Sequence, residues 1–149
     1  MSAASGLTID LSAIRANWKS LADMAPGARA GAVVKADAYG LGAARVAPAL
    51  YDAGARDFFV ALASEGRAIR PLLAQDADIY VLSGHMEGED LTGLIPVLNS
   101  PEQFFRDRAL RPRGGFAIQL DSGMNRLGLE PGEWAAIRAE ALAAGPRPV

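Results

Sequence analysis

The chain has 149 residues, half of them hydrophobic and 21% charged, with a formal net charge of -2. That is an ordinary globular composition, and it excludes a disordered tail, a basic nucleic-acid binder and a polybasic membrane anchor. The lack of cysteine excludes a disulfide frame or thiolate metal site, and the single histidine excludes a multi-histidine metal centre within the chain. No apolar run approaches the roughly 20 residues of a membrane span. Met1 to Gly6 has neither the basic stretch nor the apolar core of a signal peptide, so a cytoplasmic location is expected.

Asp10 or Ser12 can cap a first helix, with Leu11, Ile14, Trp18 and Leu21 on one face and Lys19 off it, ending by Pro26-Gly27. Residues 31–36 form a short β-branched apolar run, the signature of a strand covered on both faces. A loop over 37–42 leads to a helix over about 42–52, in which Pro48 predicts a kink or early stop. Residues 57–62 read as a second strand, 64–73 as a helix and 79–82 as a third strand. Residues 94–98 read as a fourth strand, which Pro96 should shorten or disturb. Ser100-Pro101-Glu102 is a strong helix start. Residues 116–120 give the fifth strand, and 131–144 a last helix stopped by Gly145-Pro146. Strands alternating with helices predict an α/β fold with a parallel sheet. Length alone favours an open doubly wound sheet over part of a (β/α)8 barrel, which usually takes about 250 residues.

Of the fifteen basic residues thirteen are arginine, and only Lys19 and Lys35 are lysine. Lys35 closes an apolar strand, and in parallel α/β folds that end is the functional face. Desolvation there frees a nucleophilic amine that condenses with a carbonyl compound. Taken alone, a lysine snorkelling to water is the commoner case.

Lys35 does not stand alone. The segment Val33-Val34-Lys35-Ala36-Asp37-Ala38-Tyr39-Gly40-Leu41-Gly42 resembles the pyridoxal-phosphate lysine segment of alanine racemases. After the fifth strand, Leu120-Asp121-Ser122-Gly123-Met124-Asn125-Arg126-Leu127-Gly128 looks like that family's second signature. Weaker likenesses lie at residues 9–17, 62–66 and 98–102, so the resemblance spans about residues 7–128. It implies that Lys35 carries pyridoxal 5'-phosphate as an internal aldimine and acts as one catalytic base, on the D-alanine face. It implies that Tyr39 contacts the cofactor phosphate, and that Arg126 lies near the cofactor's phenolic oxygen and the substrate carboxylate. A guanidinium suits that place because its planar fork stays charged and binds oxygens in pairs. The implied activity is interconversion of L- and D-alanine, supplying D-alanine for peptidoglycan, in a protein that is a homodimer in its full-length form.

The same resemblance decides the architecture: the PLP-binding (β/α)8 barrel, of which residues 1–149 hold about five of eight βα units. The remaining strands, the C-terminal β domain and the family's second base, a tyrosine of the partner subunit, are expected to lie outside this truncated chain. The isolated chain is then expected to be inactive, and to self-associate or need a complementary piece, because a barrel loses its edges only on closure. Gln119 departs from the family, many of whose members carry a carbamylated lysine there. A neutral amide can still hydrogen-bond a guanidinium, and Arg126 is expected to be held less firmly or by an anion from solvent. His85 reads as a loop histidine near the functional rim, and Glu87, Glu89 and Asp90 as a solvated charge run rather than a metal site. Two other readings compete: a non-catalytic PLP-binding module, disfavoured by the Arg126 motif, and a non-enzymatic remnant that docks on a partner.

Overall fold

The computed structural model describes residues 6–146. Asp10 caps α1 (Leu11–Asp23), its Oδ1 accepting from the N–H groups of Ser12 and Ala13 at 2.8 and 3.1 Å. Leu11, Ile14 and Trp18 pack on the core as the stripe predicts, but Leu21 is 64% exposed, so the apolar face is narrower than expected. Lys19 stays on the surface beside Asp23.

Five strands follow: β1 (Ala32–Val33), β2 (Asp57–Val60), β3 (Asp78–Val81), β4 (Ile95–Leu98) and β5 (Ala117–Ile118). All neighbours are parallel, and the order across the sheet is the order along the chain. A doubly wound sheet reverses direction at a switch point. An order that only advances is the arc of a barrel, so the fold is the parallel barrel type rather than the open sheet that length alone favoured.

The helices all cover one face. They are α3 (Ala43–Asp52), α4 (Ala63–Ile69), α5 (Pro101–Leu110) and α6 (Pro131–Ala143), while the short α2 (Lys35–Tyr39) is left-handed and sits at the end of β1. Toward them point Val34, Phe58, Val60, Ile79 and Val81, packed with Val46, Ala47, Leu50 and Ile69. A second outer cluster joins Leu98, Phe104, Phe116, Leu129 and Ile137. The opposite, concave face carries Tyr80, Ile95, Val97 and Ala117, with Phe59 stacked on Tyr80 at 4.9 Å between ring centroids. At the edge of the arc this face opens, and Val33 is 46% exposed. No helix among the described residues is long and apolar enough to cross a membrane.

Both internal prolines are accommodated without breaking their elements. Pro48 sits inside α3, and Ala44, whose carbonyl it leaves without a helical donor, faces solvent. Pro96 stands opposite Val81 in a regular, fully buried β4. The carbonyl of Leu98 accepts from Gln119 on the β5 side, and by two-residue alternation the nitrogen of Pro96 faces that side too. Pairing with β5 begins only at Val97, so no ladder bond is lost. Pro71 tightens the end of α4 into a 3-10 turn, Arg70–Leu72, so the helix predicted to Leu73 stops at Ile69.

Candidate active site

The site lies at the carboxyl-terminal rim of the strands. β1 is only two residues long, and after Val34, whose N–H still bonds the carbonyl of Phe59, the chain turns abruptly. The predicted strand to Ala36 and the loop after it are replaced by a left-handed turn. Ala36, Asp37, Ala38 and Tyr39 have φ between 52° and 55°, and Gly40 continues it at 82°. Such a conformation costs an L-residue about 1–2 kcal/mol each, so four in a row need strong outside support.

Glu65 of α4 gives that support. Its Oε1 accepts from the N–H of Ala36 at 2.8 Å, and its Oε2 from Ala61 at 2.7 Å and Leu62 at 3.2 Å. One carboxylate thus ties the turn after β1 to the end of β2 by charge-assisted bonds. Asp37 adds a second tie, its Oδ1 accepting from Ala43 N–H at 2.6 Å at the start of α3. Within the turn, Ala38 N–H bonds Val34 O and Gly40 N–H bonds Ala36 O. Sequence reasoning missed the role of Glu65. Its only signal was the weak likeness at residues 62–66.

Lys35 is half-buried and lines a cavity of about 270 Å³ with Ala61, Leu62, Leu82, Ser83, Arg126 and Leu127. The sheet arc therefore brings Lys35 and Arg126 to one concavity from its two ends. Tyr39 stays outside it, 64% exposed, with the Lys35 Nζ 6.0 Å from its ring centroid. A larger cavity of about 380 Å³ lies behind β1, against Val34, Asp37, Ala43 and Glu65. It holds neither amine nor guanidinium, whereas the smaller one brings both together.

Arg126 rides on the loop after β5, which Asp121 shapes. The Asp121 Oδ1 accepts from Gly123 N–H at 2.9 Å and Asn125 N–H at 3.1 Å, and these bonds hold its carboxyl below the usual carboxylate range. Asn125 takes φ 54°. Gly128 lets the loop return against itself, because a Cβ there would stand 2.7 Å from the Asp121 nitrogen. The Gln119 amide, which could have bonded the guanidinium, instead donates from Nε2 to the carbonyl of Leu127 at 3.2 Å.

Two further side chains fix the cavity wall at the end of β3. Asn99 Nδ2 donates to Leu82 O at 2.8 Å, and Gln103 Nε2 to Ser83 O at 2.9 Å. The Ser83 hydroxyl is buried and meets no partner among the described residues. His85, read as a rim histidine, is in fact buried: its Nδ1 lies 2.9 Å from Asp107 Oδ1 of α5. It braces the loop after β3 against the helix layer and does not line the Lys35 cavity.

The alanine racemase N-terminal domain family matches residues 9–147. The chain is 57% identical to an alanine racemase of Cereibacter sphaeroides over 145 residues, 94% of this chain and 42% of that protein. It is 54% identical to one of Dinoroseobacter shibae, again covering 42% of it. Among solved structures, an alanine racemase from Bartonella henselae with covalently bound pyridoxal phosphate superposes with a TM-score of 0.83 at 37% identity, over 89% of this chain and 39% of that one. A biosynthetic alanine racemase from Pseudomonas aeruginosa gives 0.82 at 37% identity, over 93% and 40%. The chain thus spans about two fifths of the length of these relatives.

Proposed function

The chain belongs to the alanine racemase N-terminal domain family, and from that premise we propose that it is the first part of the barrel of a PLP-dependent alanine racemase, one that supplies D-alanine for peptidoglycan. The single observation that carries this reading is the shared cavity of Lys35 and Arg126.

The residues present fit the cofactor's aldehyde and ring. An amine and a guanidinium face one space walled by Leu62, Leu82 and Leu127, with the unpartnered Ser83 hydroxyl at its side. In this reading Lys35 Nζ holds the cofactor, and Tyr39, just outside the cavity, reaches for its phosphate. Pyridoxal phosphate, when bound, supplies the electron sink that makes an amino acid's α-proton removable. Lys35 Nζ takes or returns that proton on the D-alanine face. Arg126 orients the substrate carboxylate through its fork and stays positive throughout. Leu62, Leu82 and Leu127 give the reacting carbon apolar walls. No residue of the described chain stands as a base for the opposite face, so the remaining barrel, the C-terminal domain and a partner subunit complete the site in the full-length homodimer.

The test is direct. Pyridoxal phosphate added to the chain should give a visible absorption band, and borohydride should then fix a pyridoxyl group on Lys35, located by peptide mass. No adduct, or one on Lys19 instead, overturns the reading. L-alanine turnover by these 149 residues alone should be negligible.

A further inference from the structure

The strongest feature outside this site lies at the other end of the strands. A cavity of about 250 Å³ opens at the amino-terminal rim between β3 and β4, lined by Arg70, Gln75, Asp78, Gly93, Ile95 and Arg111 among others. We infer that this cavity is a binding site for a small oxyanion of the phosphate or carboxylate class, gripped by the guanidinium groups of Arg70 and Arg111.

Arg70 carries a charge that the described residues do not neutralise. Its Nη1 donates to Ala77 O at 2.6 Å and its Nη2 to Leu73 O at 3.0 Å and to Ala74 O, all of them carbonyls. Its Nε is sealed from solvent and meets no acceptor among the described residues. Gly93 makes room for the side chain: a Cβ there would stand 3.3 Å from Arg70 Cδ.

Arg111 is only partly neutralised. Its Nη1 bonds Asp107 at 2.9 Å, but that single carboxylate also serves Arg108 and His85. Its Nη2 makes two long bonds, to Leu94 O at 3.2 Å and Gly115 O at 3.3 Å. Bonds of that length give way readily to a charged acceptor. One acid opposes an anion here. Asp78 also lines the cavity, and Arg29, 3.8 Å from it and 2.6 Å from Asp57, offsets its charge only in part. Two guanidinium forks across a polar cavity match the geometry of an oxyanion. β3 and β4 are interior strands of the arc, so both walls of this cavity come from the described residues.

Isothermal titration of the whole chain with sodium phosphate, and separately with sodium acetate, at constant ionic strength made up with chloride tests the inference. Saturable binding with a millimolar dissociation constant is expected for at least one of them, and the preferred probe tells the phosphate from the carboxylate source. Arg70→Gln should weaken it at least about tenfold. Asp78→Asn should tighten it several-fold, a gain that a damaged fold cannot mimic. Arg113→Gln, an exposed arginine outside the cavity, should leave it unchanged. No saturable heat from either anion, equal binding by the Arg70 variant, or no gain in the Asp78 variant overturns the inference.

Discussion

The two ends of the sheet arc each deliver one cation to the Lys35 cavity, and they are built in opposite ways. At the end of β1 the backbone is strained and heavily braced: four left-handed residues are tied down by Glu65 and Asp37, with Ala38 buried at 4% exposure. At the end of β5 only one non-glycine residue, Asn125, takes a positive φ, and the loop is braced from within itself. The Arg126 loop rests on the Asp121 turn, a backbone bridge between Leu120 and Leu129 and a 3.2 Å bond from Gln119, with Met124 72% exposed. The difference follows the tasks proposed for them. An amine that bonds covalently to a cofactor needs a fixed position, because small misplacements are costly in rate. A guanidinium that orients a carboxylate can settle once its partner arrives.

Lys35→Ala should break the comparison at its most rigid point. The pyridoxyl adduct and the visible band vanish entirely, while the melting temperature changes little, since the turn is tied by Glu65 and Asp37 rather than by the Lys35 side chain. Loss of the band with adduct retained elsewhere would refute the assignment. Glu65→Ala is the next largest effect. It leaves three backbone donors without their carboxylate, and the expected destabilisation is about 2–4 kcal/mol, read by denaturant unfolding. The lysine end should lose cofactor capture in step. An unchanged midpoint would mean that the turn stands without its brace.

Much of this was legible in the residues. The βα rhythm, the helix start at Ser100 and the cap at Asp10 follow from local rules, and Ser100 Oγ does accept from Gln103 N–H. The choice between barrel and open sheet was not local, since it depends on which strands become neighbours. The left-handed turn was invisible because in Ala36-Asp37-Ala38-Tyr39 only Asp37 tolerates positive φ; the turn is held by Glu65, twenty-nine residues from Ala36 along the chain. His85 misled for the same reason. Its position after β3 pointed to the rim, while its partner Asp107 lies on a helix that only the packing brings near.

A third variant inverts the sign. Ala36 is exposed and sits at φ 52°, so glycine there relieves the left-handed penalty without opening a cavity. Ala36→Gly should stabilise the chain by about 1 kcal/mol, less what the unfolded glycine gains in entropy. A loss of stability would show that the methyl group, not the backbone, matters at this position.

The smallest effect belongs to the β5 end and is read by pH. Asp121 has its carboxyl lowered first by the Gly123 N–H bond and then by that of Asn125. A group lowered on folding contributes stability above its unfolded value, and that contribution is lost as pH falls through the folded one. The Arg126 loop should therefore loosen below about pH 4, where unfolded aspartate begins to protonate. Hydrogen exchange at the amides of Gly123 and Asn125 should accelerate there beyond the intrinsic trend. Asp121→Asn keeps one accepting oxygen but removes the titration, so the acid-dependent step should disappear while protection at neutral pH falls only modestly. If the step survives in that variant, some other carboxylate governs the loop, and the two ends of the arc differ less in their bracing than the geometry indicates.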